Sequence, residues 1–564
     1  MGKHCRRAGK RGVSRRDFLK RATAASAAAA MVPLLPGCDD SSGGRGPVQN
    51  TNPFLHGVAS GDPLSDRVIL WTRVTPEAMG STVQVELTVA RDPQLQQVVE
   101  RSMTSTDESR DYTVKVDQAG LSPGTTYYYR FSALGYDSPV GRTRTAPAGA
   151  TQRLRVGVVS CSSYAHGVFN AYRKLAQRAD IDVVLHLGDY IYEYGSGEYG
   201  TLRDYQPAHE IISLEDYRAR HGWYKLDPDL QEIHRQHPFI TVWDDHETAN
   251  NSWRDGAENH TEGEEGVWAQ RKAWGVQAYH EWLPIRAPDA NDLGRIYRRY
   301  TYGDLADFIM LDTRLYERSE QVSPAAAGAI NDPARQLLGE QQLAFLGTAL
   351  ADSPAKWKLL GQQVMFAPLN LVDLPKALNL PVEQLQALLS QIPIVGTSGL
   401  IINADQWDGY RAERSRVLQL IESGGIDNVV VLTGDIHTSW GMDIVTESAD
   451  PIFYNPLTGA GSVAVEFVAT SVTSPGLAQL AAVQDVLRVL NPHIKYVDLA
   501  RKGYLLLDIT PERVQGEWWY VDTVEAPSDT EAFGAACYSV DGGNHLQTAG
   551  EPSAPRMEAP ALAP

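Results

Sequence analysis

Cysteine is scarce in this sequence, and so are hydrophobic runs long enough to span a membrane. Only four cysteines occur in 564 residues, and two of them, Cys5 and Cys38, lie in or beside a basic N-terminal segment. At most one disulfide is left for the rest of the chain, which excludes a disulfide-stapled scaffold. The apolar stretch 22–36 is shorter than the ~20 residues that cross a bilayer.

Basic residues are outnumbered, and this limits the partners of the chain. The formal net charge is −18, and the first 37 residues carry nine basic side chains and one acidic one. The remainder has 42 basic and 68 acidic side chains, a net charge of −26. Because such an acidic surface repels the phosphates of nucleic acids, we expect no stable nucleic-acid partner. A small phosphate-binding pocket is still compatible with it, because a few metal ions reverse the local field.

Residues 1–37 have the order of a signal peptide. The paired Arg15 and Arg16 stand in the sequence SRRDFLK, and the alanine-rich apolar stretch follows. We therefore predict a twin-arginine signal peptide, recognition by the twin-arginine translocation machinery, and a periplasmic, cell-surface or secreted location. The alternative is an amphipathic N-terminal helix. The resemblance to twin-arginine export implies a protein that folds and binds its cofactor before it crosses the membrane. We therefore expect a metal that is inserted in the cytoplasm.

The end of the leader is similar to a lipoprotein cleavage box. Its sequence is LPGCD, in which Pro36 occupies a position that is unusual for such a box, before Gly37 and Cys38. Acylation of Cys38 would provide a lipid anchor. The alternative is a leader cysteine that is lost with the signal. Residues 38–51, rich in Ser and Gly, are predicted to be a linker.

The next segment has the pattern of a small all-β unit. Four runs of β-branched or aromatic residues are separated by turn residues, which predicts strands at 68–72, 83–89, 112–116 and 127–133. The sequence LSPGTTYYYR at 121–130 resembles the tyrosine-corner region of a fibronectin type III sandwich. We predict a fibronectin type III-like β-sandwich domain over residues 52–147.

From residue 148 the pattern changes to α/β. Helical stretches at 168–178 and 268–282 alternate with six apolar runs, which predicts buried strands at 154–159, 183–187, 239–243, 308–311, 357–360 and 429–432. The catalytic domain is predicted over residues 148–525, with inserted helices at 367–400. Residues 526–564 are rich in Pro, Ala, Gly and acids, and we expect a loosely packed tail.

Polar clusters follow four of the predicted strands. They are SCSS at 160–163, GDYIYE at 188–193, DDHETANN at 244–251 and GDIH at 434–437. A single Gly-Asp after a strand is usually a turn. Four clusters rich in Asp, His and Asn at the carboxyl ends of strands collect where ligands bind in such sheets. Carboxylates buried together resist ionisation unless cations neutralise them, so the constellation predicts a metal site.

The order of these clusters resembles that of the metallophosphoesterase superfamily. The wording SCSS, GDYIYEYG, WDDHETANN and LTGDIHTSW, with FLHGVASGDP and VEFVATSVTSPG elsewhere, resembles the alkaline phosphatase D family. The resemblance covers nearly the whole chain after the leader. It implies an α/β fold, with a metallophosphoesterase-like β-sandwich core flanked by helices after the small all-β domain.

The sequence departs from the wider superfamily at two positions. Cys161 stands where that superfamily has an Asp-x-His pair, and Asp435 replaces a histidine. The usual di-metal site is therefore not carried over. In the alkaline phosphatase D family these positions serve a ferric ion with calcium ions beside it, so the resemblance implies Fe(3+) and Ca(2+).

Metal-ligand roles follow from the resemblance. Asp189 is expected to bridge metals, and Cys161 and Tyr192 to ligate iron as thiolate and phenolate. The alternatives are a turn residue at Asp189, a small buried hydrophobe at Cys161 and a core aromatic at Tyr192. Three further residues are expected to complete the ligand set with oxygen and nitrogen donors: Asn250, Asp435 and His437. The amide and carboxylate oxygens among them are the kind that calcium favours.

Three residues are expected to act beside the metals. Asp245 and His246 are predicted to be catalytic, either as ligands or as groups that orient ligands. Arg271 is the candidate phosphate clamp, because a guanidinium binds two phosphate oxygens at once. The alternative for Arg271 is an arginine on a helix surface. Metal-held water would attack phosphorus in line, and a serine nucleophile among residues 160–163 is a lesser alternative.

The sequence thus predicts an exported metal-dependent phosphoesterase. Its substrates would be small phosphate monoesters and diesters. Within enzymes, the alternative is a dedicated phospholipase D-like or nucleic-acid phosphodiesterase. From another class, the alternative is an inert surface binding protein, which intact metal-ligand clusters disfavour.

Overall fold

The computed structural model describes residues 52–322, 324–369, 404–446 and 452–564. The predicted signal peptide 1–37 and the linker 38–51, including Cys38, lie outside the described residues. So do residues 370–403, which make up most of the predicted insertion.

Twenty-two strands and seven α-helices form in the described residues. The strands are β1 Val58–Gly61, β2 Arg67–Arg73, β3 Val83–Ala90, β4 Val98–Thr106, β5 Thr113–Ala119, β6 Thr126–Ala133, β7 Tyr136–Asp137, β8 Gly141–Arg144, β9 Leu154–Val159, β10 Val183–His186, β11 Pro238–Thr241, β12 Arg298–Tyr302, β13 Ala306–Met310, β14 Trp357–Gly361, β15 Val429–Thr433, β16 Ser439–Val445, β17 Ser462–Val468, β18 Ile494–Asp498, β19 Gly503–Ile509, β20 Arg513–Val521, β21 Glu531–Val540 and β22 Gln547–Ala549. The helices are α1 Asn170–Ala176, α2 Leu214–Tyr224, α3 Pro228–Gln236, α4 Trp268–Trp282, α5 Gly339–Ala351, α6 Arg411–Ser423 and α7 Gln484–Leu490.

The strands form three sheets. The ten-stranded sheet has the order β22-β21-β20-β19-β9-β10-β11-β1-β2-β5, and the seven-stranded sheet has the order β12-β13-β14-β15-β17-β16-β18. A smaller sheet joins β4, β3, β6 and β7, with β8 paired to β6. Within the two large sheets, β9, β10 and β11 run parallel, as do β13, β14, β15 and β17.

The two large sheets pack face to face around a buried apolar layer. Val156 and Leu185 of the first sheet and Phe308 and Val430 of the second belong to one buried cluster. Helices cover the outer face of each sheet through separate clusters that contain, for example, Tyr172 of α1. This confirms the predicted α/β fold with a β-sandwich core flanked by helices.

The predicted all-β unit is present, but it is not separate from the large sheet. The side chains of β1, β2, β3, β5 and β6 share a core, and the Tyr127 hydroxyl accepts a hydrogen bond from the Ser122 amide at 2.8 Å, as in a tyrosine corner. Strand β1 also pairs in parallel with β11 of the catalytic domain. Hydrogen bonding therefore runs without interruption across the predicted boundary near residue 147.

The prediction of a loosely packed tail at 526–564 is wrong. Strand β21 pairs with β20 along its length, and β22 pairs with β21. Beyond them, the Arg556 guanidinium donates to the buried Asp182 carboxylate at 2.7 Å, and Ala563 is buried. Composition misled here, because β21 gains its stability from pairing with a buried neighbour strand rather than from its own apolar residues.

The described helices are short or amphipathic. None of them, in the four described ranges, is both long and apolar enough to cross a membrane. Helix α4 has the bounds that the sequence predicts, and α1 lies inside the predicted stretch 168–178.

Candidate active site

The site forms where parallel strands of both large sheets end. Cys161 follows β9, Asp189 follows β10, and Asp435 and His437 follow β15. All four have left-handed backbone, with φ of 59°, 55°, 61° and 60°. Such φ values are uncommon for residues other than glycine and cluster at functional sites. The fold therefore maintains strained turns where the polar clusters of the sequence meet.

Cys161, Asp189 and His437 come together as one possible metal-ligand group. One ligand atom from each lies within 4.8 Å of the others, and all three residues are buried. The Nδ1 atom of His437 is 2.9 Å from the Pro475 carbonyl oxygen, which fixes the ring orientation. The structure thus brings together three predicted ligands from three separate sequence clusters.

Tyr192 lies against the same group. Its hydroxyl donates to Asp189 Oδ2 at 2.9 Å and is 3.3 Å from His437 Nε2. It is also 2.6 Å from Ser474 Oγ, and Ser474 in turn donates to the Cys161 carbonyl at 2.9 Å. The Tyr192 oxygen therefore lies beside the ligand atoms of Asp189 and His437, and Ser474 links that arrangement to the turn after β9.

Two further groups extend the site from Asp189. The first contains Asp189, Asp245 and His246, and the second contains Asp244, Asp245 and Asp435. The turns that carry Asp189 and Asp244 approach each other closely at Gly188, which has a φ of 100°. Only glycine fits there, since a Cβ atom would lie 2.3 Å from Asp244 Cβ. Asp189 and Asp245 each belong to two of the three groups, so the ligand atoms form one continuous cluster.

His246 is held by a buried carboxylate. Its Nδ1 is 2.7 Å from Glu193 Oε2, and its ring stacks on Tyr192 with centroids 4.2 Å apart. Burial opposes protonation of His246, but the charges of Asp245, Glu193 and Asp189 outweigh it and raise the pKa of His246 to about 10. The ring is therefore a charged imidazolium at neutral pH when no cation is bound.

Asn250 lies next to this histidine. Its backbone amide donates to Glu193 Oε1 at 2.8 Å, and its side-chain Nδ2 lies 3.4 Å from Glu258 Oε2. Asn250 and His246 are thus bound to opposite oxygens of one buried carboxylate. The structure therefore places Asn250, which the sequence predicts as a metal ligand, beside His246 of the cluster.

Glu247 joins the two turns that carry the aspartates. Its carboxylate accepts from the backbone amides of Asp189 at 3.1 Å and Asp244 at 2.6 Å, and also from that of Tyr190. Burial raises the pKa of Glu247 to about 7, against these hydrogen bonds, which lower it. Glu247 therefore stabilises the strained turn at Asp189 without being a member of the ligand groups.

A buried arginine neutralises the third group. Arg314, fully buried, donates to Asp244 and Asp435, and to both oxygens of Asp405 at 2.8 and 2.7 Å. Its guanidinium also lies 3.8 Å from Asp245. Arg318, also fully buried, donates to Asp405 as well. Two positive charges thus serve four carboxylates, so negative charge remains in excess.

The excess negative charge suits bound cations. Burial, with repulsion among the carboxylates, raises the pKa of Asp189, Asp244 and Asp435 above the ordinary range. In the part of the chain that the structure describes, no donor reaches the buried oxygens Asp189 Oδ1 and Asp244 Oδ2. Carboxylates of this kind accept either protons or cations, and with a thiol, a phenol and imidazoles beside them the donor set fits a metal cluster.

Arg271 does not lie in this cluster, which corrects its prediction as a phosphate clamp. It is fully buried, and its five N–H groups are engaged. Nε donates to Tyr217 at 3.2 Å, Nη1 donates to the Asn259 carbonyl and Glu265, and Nη2 donates to Glu210 and the Ile211 carbonyl. A guanidinium saturated in this way has no donor left for phosphate. Its role is to fix the loop that carries Asn259, which donates to Glu193 at 3.0 Å.

We expect Arg271→Lys to lower stability rather than substrate binding. A lysine retains the charge but makes at most three of the five hydrogen bonds, which costs about 2–4 kcal/mol of unfolding free energy. The measurements are thermal unfolding and KM on an aryl phosphate. A tenfold rise in KM with an unchanged melting temperature would instead support phosphate binding by Arg271.

Several residues of the site were not predicted from the sequence. Arg314, in the sequence DTR directly after β13, has the same signal as the four clusters and was detectable. Asp244 and Glu247 lie inside a recognised cluster but received no role. Asp405 has no such signal, since it meets Arg314 from a distant part of the chain.

Comparisons with known proteins agree with this geometry. The family model described as PhoD-like phosphatase matches residues 156–518, and the model of the PhoD-like phosphatase N-terminal domain matches residues 41–147. Alkaline phosphatase D of Bacillus subtilis (strain 168) is 37% identical over 496 residues, which cover 84% of this chain and 79% of that protein. A solved structure of PhoD superimposes with a TM-score of 0.78 at 34% identity, covering 90% of this chain and 94% of that one. The chain therefore belongs to the PhoD-like phosphatase family.

Proposed function

We propose that this chain is an exported, metal-dependent phosphoric ester hydrolase that cleaves phosphate monoesters and diesters with water. The observation that carries the proposal is the continuous cluster in which Asp189 and Asp245 each belong to two groups of ligand atoms. Family membership supports the ester-hydrolase chemistry. An inert binding protein would have no reason to maintain this many buried, strained and mutually repelling carboxylates.

The chain's own residues prepare the site for a phosphate ester. When bound, the cations supply a lowered water pKa and positive charge for the phosphoryl oxygens. Tyr192 and Glu247 hold Asp189 in position through its side chain and its backbone. His246, held by Glu193, lies next to the ligand atoms of Asp189 and Asp245. Arg314 offsets the repulsion between the carboxylates of Asp244 and Asp435 by forming an ion pair with each of them.

Hydrolysis of matched aryl esters tests this function. The purified protein is assayed on an aryl phosphate monoester and on the corresponding diester, with and without a chelator. We expect hydrolysis of both that is lost with chelator and restored by metal. Diester cleavage alone would favour a dedicated phosphodiesterase, and no hydrolysis of either would favour a binding protein.

We propose that iron(III) occupies the group of Cys161, Asp189, His437 and Tyr192, and that calcium occupies the group of three aspartates. The first group offers sulfur, nitrogen and phenol oxygen, which suit a transition metal, and the second offers only carboxylates, which suit calcium. Both identities rest on donor chemistry and on the family resemblance.

Colour tests the iron assignment. Phenolate and thiolate donate charge into ferric iron on absorbing visible light, so the purified protein should be tinted. Tyr192→Phe removes the oxygen but keeps the stacked ring, and should shift or bleach the band and lower the iron content. Cys161→Ser should alter the same band independently. A colourless, fully active protein that contains only zinc or calcium would contradict the assignment.

We propose export through the twin-arginine machinery, with Cys38 as a possible lipid attachment point in a periplasmic, cell-surface or secreted protein. The paired arginines and the apolar stretch after them support it. Replacing Arg15 and Arg16 together by Lys should leave precursor in the cytoplasm, as fractionation and immunoblotting would show. Efficient export of that variant would exclude this route.

A further inference from the structure

The loop between β16 and β17 presents large apolar side chains to solvent. Phe453 and Leu457 are 61% and 89% exposed, and Ile452 beside them is 84% exposed. Residues 452–465 contain no charged side chain, and Glu447 and Asp450 precede them in the sequence of the same loop. We call residues 452–461 the apolar loop. Clustered apolar side chains of this size on a soluble surface mark a contact site.

The backbone of the apolar loop is held in place from beneath. The Tyr454 hydroxyl donates to the buried Asp443 carboxylate at 2.7 Å, and Lys495 Nζ donates to the Pro456 carbonyl at 2.8 Å. Lys495 also donates to Tyr454 at 2.7 Å. The exposed side chains therefore stand on a fixed support, so a partner that covers them orders little additional chain.

The apolar loop lies at the end of the molecule away from the active site. Strand β17 runs parallel to β15, and Asp435 and Ser474 of the site follow the carboxyl ends of these two strands. The loop precedes the amino end of β17. Seven residues of strand separate the two ends, a distance of about 23 Å.

The N-terminal attachment of the chain emerges at this same end. Strand β1 is parallel to β11, β10 and β9, whose carboxyl ends carry the other half of the site. Asn52, before β1, is therefore at the amino ends of the strands. Cys38 lies only 14 positions upstream of Asn52, a reach of at most ~50 Å. Asn52 and the apolar loop therefore both lie at the amino ends of the strands, on the side opposite the site.

We propose that the apolar loop docks on the surface of a phospholipid membrane, with the active site facing away from it. Phenylalanine and leucine enter the boundary between headgroups and acyl chains, and no charge in residues 452–465 opposes this. Because the chain after residue 37 has a net charge of −26, zwitterionic headgroups suit it better than anionic ones. This inference goes beyond ester hydrolysis and does not depend on it.

A dye at one position reports the contact locally. The probe is an environment-sensitive fluorophore on Leu457→Cys in the full chain with Cys5→Ser and Cys38→Ser, since Cys161 and Cys537 are buried. The matched control is Val267→Cys, which is 60% exposed and precedes α4 near the site. On adding phosphatidylcholine vesicles, we expect a blue shift at position 457 and none at position 267.

A second measurement uses binding to the same vesicles. Phe453→Asp combined with Leu457→Asp should lower the vesicle-bound fraction at least ~tenfold in sedimentation, with hydrolysis of a soluble aryl ester unchanged. Absence of a dye shift, or equal shifts at positions 457 and 267, would overturn the proposal. So would a dye at position 457 that is already blue-shifted without vesicles and reverts on dilution, because the loop would then contact a second copy.

Discussion

Asp189→Asn should abolish phosphate-ester hydrolysis, by at least about a thousandfold, while leaving the fold intact. The substitution keeps the shape of the side chain but removes the charge that two ligand groups share. Because burial and neighbouring carboxylates raise the pKa of Asp189, its charge is a cost to the cation-free protein. The cation-free variant should therefore be at least as stable as the cation-free wild type. Kinetics, metal content and thermal unfolding check this.

Cation binding separates a ligand from a merely buried residue. Wild type at a hundredfold excess of cation over Kd should gain about 2.7 kcal/mol of unfolding free energy, and Asp189→Asn should gain much less. Asp485→Asn, at a side chain that is 88% exposed on α7, is the control and should behave as wild type. Wild-type activity and metal content in Asp189→Asn would remove Asp189 from the site.

Arg314→Met should have the largest effect on stability, a loss of about 3–5 kcal/mol. Methionine fills much of the volume but leaves Asp244 and Asp435 buried without their shared positive charge, whereas Asp405 keeps Arg318. Arg314→Lys should recover only part of the loss, since one ammonium does not reach the carboxylates that the planar guanidinium bridges. Urea unfolding at fixed pH and cation concentration measures both.

The loss should shrink as the pH falls. The folded-state pKa values of Asp244 and Asp435 already lie above the ordinary value, and removal of Arg314 raises them further. A group with a raised folded pKa favours the folded state below that pKa and loses this contribution as the pH rises through it. The difference between wild type and Arg314→Met should thus be larger at pH 8 than at pH 5. A difference independent of pH would show that packing, rather than charge, accounts for it.

Local patterns predicted ten of the twenty-two described strands and most of the ligand cluster. Four of the apolar runs are followed directly by a polar turn, so Cys161, Asp189 and Asp435 were predicted from the local sequence alone. Parallel strands then bring the turns together without further information. The pairing of Arg271 with Glu210 was not readable, since it depends on two segments 61 residues apart meeting in space.

Strand β21, near the C-terminus, was also not predictable from its own sequence. The sequence of β21, EAFGAACYSV, is rich in small residues and has a half-exposed pattern, so its hydrophobicity predicts no strand. It becomes one because β20, with the buried Trp518, offers an edge to pair with. Strand formation of this kind depends on the neighbour, which a single segment does not reveal.

The shared sheet makes the two sequence domains one mechanical body. Because β1 is hydrogen-bonded to β11 on one side and β2 on the other, the N-terminal sandwich is unable to swing against the catalytic half without breaking sheet pairing. The Arg298 guanidinium, 3.0 Å from the buried Asp62, reinforces the joint. Heat or denaturant should therefore melt both halves in one cooperative step. If either half were expressed alone, it would expose a strand edge without its pairing partner and would aggregate.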